Sequence, residues 1–136
     1  MKETLFYTSL LPIIVVFFYL YRSNKNIYEN MLIFGIILLC ITSLCFWENP
    51  IQYSYEHFTD LYMVKIVILL VIFYTLFIKK LSIQIKAVYS FLVILLFISA
   101  YYSHFYSSIE WCSREHITAH ICLHLLAFVG VLFAFV

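Results

Sequence analysis

The chain has 136 residues, of which 65% are hydrophobic and 11% charged, and its mean hydropathy is +1.02. A soluble globular domain carries about 25% charged residues, so this composition excludes an ordinary soluble fold and indicates a protein surrounded by lipid. The formal net charge of +1 provides no basic surface to neutralise phosphates, which argues against a nucleic-acid partner.

Five apolar segments follow one another along the chain, each close to the roughly 20 residues that a helix needs to cross the hydrocarbon core of a bilayer. They cover about residues 4–22, 30–47, 57–78, 83–103 and 115–136. No small-residue cleavage site follows the first segment, which indicates a retained helix rather than a signal peptide. Since the intervening polar segments are short, the sequence predicts one all-α transmembrane domain over residues 1–136, an up-and-down bundle of about five helices.

The distribution of Lys and Arg predicts the orientation of this bundle. The first loop contains Arg22 and Lys25, and the third contains Lys79 and Lys80, whereas the second and fourth loops contain only Arg114. Cytoplasmic loops of membrane proteins are enriched in Lys and Arg. We therefore expect a multi-pass integral membrane protein with a non-cytoplasmic N-terminus and a cytoplasmic C-terminus.

This topology gathers half of the Lys, Arg, Asp, Glu and His residues at the non-cytoplasmic rim. They are Glu48, Glu56, His57, Asp60, His104, Glu110, Arg114, Glu115, His116 and His120. Lys65 lies about two turns into the third segment. It could extend to the rim, pair with Glu56 or Asp60, or bind a ligand carboxylate or phosphate, and we favour the pairing. Helices that folded independently would not require this clustering, which is the strongest functional indication in the sequence.

Three histidines in the last segment, His116, His120 and His124, are spaced four residues apart and share one helix face. Such spacing suits Zn²⁺, which prefers tetrahedral nitrogen, oxygen or sulfur ligands, and His57 and Asp60 are further donors at matching depth. Two other interpretations are interhelical hydrogen bonding and axial ligation of a haem. The sequence leaves these three interpretations open.

Two of the four cysteines, Cys45 and Cys112, fall near the same rim. An oxidising compartment could join them in a disulfide. Cys40 and Cys122 lie deeper in their segments and are interpreted as small apolar residues.

The order of Ser43, His57, Asp60 and a C-terminal His-x-x-x-His resembles that of the CREST superfamily of membrane hydrolases, which includes alkaline ceramidases and adiponectin-receptor-like proteins. Two registers fit the last motif, His116 to His120 and His120 to His124. The family has seven helices and carries a histidine four residues after its serine. In this chain that position is a tryptophan, residue 47.

The resemblance implies a zinc ion held by three of His57, His116, His120 and His124. It also implies that Asp60 and Ser43 are catalytic and orient a water that attacks a lipid amide or ester. The expected function is then a small zinc-dependent membrane hydrolase whose partners are membrane lipids. The alternative is a non-catalytic subunit, a scaffold or haem-associated protein, within a homo-oligomer or a larger membrane complex. A channel is the least favoured class, because few polar residues could line a pore.

Overall fold

The computed structural model describes residues 2–136, and every regular element in that range is helical. The elements are α1 (Lys2–Ser9), α2 (Leu11–Tyr21), α3 (Ile27–Glu48), α4 (Tyr55–Phe73), α5 (Ile83–Ile109) and α6 (Arg114–Phe135), and a π-helical turn (Tyr74–Ile78) continues α4. Within these residues, five helical stretches are long and apolar enough to cross a membrane: Glu3–Tyr21, Ile27–Glu48, Tyr55–Ile78, Ile83–Ile109 and Arg114–Phe135. The predicted all-helical class and the predicted number of spanning-length helices are confirmed.

The first spanning stretch is interrupted between α1 and α2. Leu10 is a turn residue at this junction, and its backbone N–H donates to the Tyr7 carbonyl at 3.2 Å. Pro12 follows in the first turn of α2. Proline has no backbone N–H and its ring clashes with the preceding turn, so a regular helix cannot continue through it.

The fourth spanning stretch is longer than the sequence indicates, because α5 continues past residue 103 to Ile109. The hydroxyls of Ser107 and Ser108 donate to the carbonyls of His104 and Phe105, both at 2.7 Å. These serines therefore satisfy their polar groups within the helix instead of forming a loop.

The loops fix which helix ends meet. At one end, the Gln52 side chain donates to the Ser107 carbonyl and the Trp111 indole donates to the Pro50 carbonyl, each at 3.2 Å. We call this the histidine end, formed by residues 49–54 and 110–113 with the adjacent helix ends. It joins the second and fourth loops, as an up-and-down bundle requires.

The opposite end, which we call the arginine end, comprises residues 22–26 and 79–82 with the end of α6. Arg22 Nη1 donates to the Phe135 carbonyl at 3.0 Å. Lys79 Nζ donates to the carbonyls of Phe133 and Ala134 at 3.0 and 3.1 Å. Two cations thus cap the last carbonyls of α6, where the helix dipole also favours positive charge.

The interior of the bundle is formed mainly where α6 packs against α5, α1, α2 and α4, and where α3 packs against α4, α1 and α2. Ile36, Val67 and Ala134 are buried there. Large apolar side chains also cover the outer faces: Phe34 is 64% exposed and Phe91 is 62% exposed. An outer surface of this kind suits lipid rather than water.

A polar network that the sequence analysis did not identify holds the arginine end together. Glu29 is 2% exposed, and its Oε1 accepts from Arg22 Nη1 at 3.2 Å and from the Tyr74 hydroxyl at 3.1 Å. Asn26 donates to the same Tyr74 hydroxyl at 3.1 Å. Burial lowers the pKa of the neighbouring Lys79 ammonium, and the Glu29 carboxylate acts in the opposite direction. This network ties α3 to the end of α4, and Arg22 extends it to α6.

The substitution Arg22→Gln should destabilise the bundle, because it removes the cation that faces a buried carboxylate and also cancels a cap on α6. We expect the free energy of unfolding to fall by about 1–3 kcal/mol, measured by denaturant titration in mild detergent. Lys25→Gln is the matched control, since Lys25 is exposed in the same loop. Equal losses in the two variants would contradict this role for Arg22.

Candidate functional site

Ser43 and Asp60 join α3 to α4 near the histidine end. The Ser43 hydroxyl donates a hydrogen bond to Asp60 Oδ1. Ser43 is 5% exposed and Asp60 is 7% exposed. The two residues predicted to be catalytic therefore form a buried pair, in which a hydroxyl donor compensates part of the cost of burying the carboxyl group.

The three histidines of α6 form a continuous row on one face of the helix. The ring centroids of His116 and His120 are 5.6 Å apart, and those of His120 and His124 are 4.8 Å apart. Trp47 of α3 lies against the row, with its ring 5.1 Å from His120 and 6.4 Å from His124. Ser43 is one helical turn from Trp47, so the Ser43–Asp60 pair and the histidine row approach each other along the same face of α3.

Aromatic side chains connect His57 to this row. Its ring stacks on Phe46 at 5.0 Å and contacts Trp111 at 5.3 Å, and Trp111 in turn contacts His116 at 4.8 Å. His104, by contrast, is exposed on α5. The aromatic residues that the sequence places at this rim thus also form the packing between two histidine-bearing helices.

His57 and His116 occupy equivalent positions in two matching helix starts. Ser54 and Ser113 are the N-caps of α4 and α6, and their hydroxyls accept the backbone N–H groups of His57 and His116 at 3.1 and 3.2 Å. Each histidine is the third residue of its helix, and its Nδ1 accepts a backbone N–H from the residue before the serine, at 3.1 Å in both cases. This reciprocal arrangement resembles a capping box in which histidine takes the place of glutamate.

The residues that donate these N–H groups, Tyr53 and Cys112, have positive φ angles of 64° and 61°. Few residues other than glycine adopt this conformation, and here it turns the backbone N–H toward the histidine ring. The underlying sequence signal is a repeated Ser-x-Glu-His, at Ser54 to His57 and at Ser113 to His116. The four-residue spacing of the α6 histidines gives no indication of this repeat.

These caps determine which ring nitrogen carries the proton in the neutral histidines. A neutral imidazole has one N–H donor and one acceptor nitrogen. Because Nδ1 of His57 and of His116 accepts a hydrogen bond, the proton of each ring belongs on Nε2. A metal would need the Nε2 lone pair, so this arrangement disfavours both rings as zinc ligands.

His120 and His124 have a different environment, since Nδ1 of each faces a hydroxyl. The distances are 2.7 Å to the Ser103 Oγ and 2.8 Å to the Thr8 Oγ1. Thr8 Oγ1 already donates to the Leu5 carbonyl at 3.2 Å. It therefore accepts from His124, which leaves the Nε2 lone pair of His124 free, as zinc ligation requires.

Trp47 contributes an unusual group to this region. Its side chain is 3% exposed, and among the described residues its indole Nε1–H has no acceptor. Buried donors are nearly always hydrogen-bonded, so an unpaired N–H beside two histidines indicates a place for an acceptor from a ligand or from water. In the sequence, Trp47 stands out only as the residue at the position where the CREST pattern has a histidine.

Other predicted contacts have different outcomes. Lys65 does not pair with Glu56 or Asp60: its ammonium lies 5.8 Å from the Tyr62 ring centroid, and the ion pair found within residues 2–136 is Arg22–Glu29. Asp60 is buried on another face of α4, and Glu56 lies about 13 Å away along the helix axis at 1.5 Å per residue, so neither carboxyl group is within reach of Lys65. Cys45 has a free, exposed thiol, so it forms no disulfide with Cys112.

Within residues 2–136, no three His, Cys, Asp or Glu side chains are grouped so as to hold a metal ion.

Comparison with protein-family models, curated proteins and solved structures finds no match to this chain.

Ser43→Ala should destabilise the protein, because it leaves the buried Asp60 carboxyl without its hydroxyl donor. We expect a loss of about 1–3 kcal/mol in the free energy of unfolding, measured in mild detergent. Thr42→Ala is the matched control, since the Thr42 hydroxyl donates to the Leu39 carbonyl of its own helix. A smaller loss for Ser43→Ala than for Thr42→Ala would show that the pair does not stabilise the bundle.

The tautomer assignment can be tested by nitrogen NMR of protein labelled with ¹⁵N-histidine. At mildly alkaline pH, His57 and His116 should carry their proton on Nε2, because Nδ1 accepts a backbone hydrogen bond. The exposed His104 provides the reference for a ring outside the caps. Protonated Nδ1 in either capping histidine would contradict the assignment.

Proposed function

We propose that this chain is a multi-pass integral membrane protein whose arginine end lies in the cytoplasm. The support is the presence of five helices of spanning length and the exposure of large apolar residues on their outer faces. The first and third loops, which contain Arg22, Lys25, Lys79 and Lys80, belong to the same end of the bundle. Enrichment of basic residues favours the cytoplasmic side, so the histidine end would face the opposite compartment.

Within this membrane protein, the histidine end is proposed to be the site of a zinc-dependent hydrolase that acts on a lipid amide or ester. The observation that carries this proposal is the position of α3. Its Ser43 binds Asp60, and its Trp47, one turn further, contacts His120 and His124. Residues from α3, α4 and α6 that resemble the CREST pattern thus lie along one face of α3.

His120 and His124 are the side chains that would hold the zinc, since neither is committed to a helix cap. Bound zinc would supply a Lewis acid that polarises a carbonyl and makes water a stronger nucleophile. Asp60 would accept a proton or orient the water, and Ser43 would hold the carboxyl group in place. The unpaired Trp47 N–H would donate to an oxygen atom of the substrate.

A second candidate function is a non-catalytic subunit of a larger membrane complex. The observation that favours it is that all four histidines of the cluster have a hydrogen-bond partner within the chain at Nδ1. In this interpretation they stabilise the helix packing. A haem-associated version would show a Soret absorption band after purification.

Zinc content separates the two functions. After purification with zinc and without chelators, elemental analysis should find one zinc per chain. His120→Ala and His124→Ala should lose it, while His104→Ala, the exposed control, should keep it. His116→Asn should also keep it, because His116 is assigned to a cap. A folded wild-type protein without zinc, purified with stoichiometric partner subunits, would contradict the hydrolase and favour the subunit.

Catalysis requires a separate test with Asp60→Asn, measured on fluorescent lipid amides and esters in detergent micelles. The variant should retain zinc and lose activity by roughly 10²–10⁴-fold, which is the usual contribution of a positioned acid or base. Glu56→Gln is the matched control, since Glu56 is exposed one turn away on α4. Equal activity of Asp60→Asn and wild type would remove Asp60 from the mechanism.

A further inference from the structure

An open groove of about 560 Å³ lies between α5 and α6, and its lining contains none of the three histidines of α6. Its walls include Ser99 and Tyr102 from α5 and Ala119 and Cys122 from α6. The groove forms where small side chains let the helices approach, since the Ser99 hydroxyl donates to the Ala119 carbonyl at 3.0 Å. Its volume is within the range of small-molecule binding sites, about 300–1,000 Å³.

The groove runs from a polar rim into the apolar part of the bundle. Arg114 and Glu115 line the part of the groove nearest the histidine end, and Cys122 lines the part deeper in the bundle. Eight residues of helix separate Arg114 from Cys122, which corresponds to about 12 Å at 1.5 Å per residue. In a membrane, this shape would accommodate a polar group at the interface and an acyl chain below it.

The charged residues at the rim restrict which polar headgroup the groove could bind. Both the Arg114 guanidinium and the Glu115 carboxylate are exposed, and neither forms an ion pair within the part of the chain that the structure describes. Arginine binds phosphate through paired, charge-assisted hydrogen bonds. The adjacent Glu115 would repel a headgroup that carries negative charge alone, but would attract one that also carries an ammonium.

Two tyrosines in the groove would also favour a headgroup that carries an ammonium. Tyr102 and Tyr106 line the same groove, and their rings stack with centroids 6.2 Å apart. Tyr102 is 49% exposed. Aromatic faces attract alkylammonium groups, and this interaction is the usual basis of choline recognition.

We propose that this groove binds one zwitterionic phospholipid, with its phosphate on Arg114, its ammonium beside Glu115 and the tyrosines, and an acyl chain along Ala119 and Cys122. This inference rests on the membrane insertion proposed above and not on zinc. The proposed phospholipid would lie next to α6, the helix that carries the histidine row.

Photolabelling tests the proposal with the full-length protein in detergent micelles. The probe is phosphatidylcholine with a diazirine in one acyl chain, and labelled peptides are mapped by mass spectrometry. Label should concentrate on the α6 segment that contains Ala119 and Cys122. Unlabelled phosphatidylcholine, sphingomyelin or phosphatidylethanolamine should compete about tenfold better than phosphatidylglycerol, which lacks the ammonium and so loses one charge-assisted contact. Diacylglycerol, which lacks both the phosphate and the ammonium, should compete more weakly still.

Variants with matched controls locate the contacts. Arg114→Gln and Glu115→Gln should each reduce groove labelling about tenfold, and Ala119→Leu should abolish it by filling the groove. Glu110→Gln, an exposed acid at the same end, and Ala87→Leu, an exposed alanine of α5 outside the groove, should label as wild type. Circular dichroism of every variant checks the fold, and the two charge variants test the proposal even if Ala119→Leu misfolds.

Three results would overturn the proposal: label spread over the outer faces of all helices, equal competition by every lipid, or a cross-linked pair of chains at the groove. Zinc measured on the same samples keeps the two proposals separate. Lost labelling with zinc retained would reject the lipid site alone. Retained labelling without zinc would reject the hydrolase alone.

Discussion

The structure depends on one constraint: burying a polar group inside an apolar helical bundle is costly unless the group has a partner there, because neither lipid nor packed side chains can replace water. The chain meets this constraint by linking helices through paired polar groups near their ends. At the arginine end, Glu29 Oε1 accepts from Arg22 and Tyr74, while Oε2 of the same carboxyl group has no hydrogen-bond partner among the described residues. Toward the histidine end, Ser43 satisfies Asp60, while Thr8 and Ser103 face the histidines of α6. Each of these hydrogen bonds joins two different helices. The contacts that pair the buried polar groups therefore also hold the helices together.

Much of this organisation could be predicted from the sequence, because it depends on local patterns. Apolar segments of about 20 residues predict spanning helices, and the positions of Arg22 and Lys79 predict which loops share an end. What could not be predicted depends on backbone detail or on contacts between helices. Glu29 was missed because the predicted helix began at residue 30, which left it in a loop. The roles of His57 and His116 depend on positive φ angles at the residues before their serine caps, and no spacing rule for metal ligands includes such angles.

The histidines therefore divide into two pairs with different chemistry, although the sequence presents them as one set. His57 and His116 complete helix caps and should carry their proton on Nε2. His120 and His124 lie deeper, beside an indole N–H that has no acceptor in the described residues. This division reduces the proposed zinc ligands to the second pair. It also explains how one aromatic and histidine-rich end can serve both stability and a site: the outer pair closes the helix starts, and the inner pair remains available to a ligand.

The proposed site requires that α3 and α4 meet through Ser43 and Asp60 near the histidine end, and cross-linking of this pair tests that arrangement most directly. In a chain whose four cysteines are replaced by alanine, Ser43→Cys combined with Asp60→Cys should form a disulfide under mild oxidation, because these side chains are in contact. Ile41→Cys combined with Asp60→Cys should not, since Ile41 is 51% exposed on the outer face of α3. Cross-linking of the 41–60 pair in preference to the 43–60 pair would contradict the arrangement of helices on which the proposed site depends.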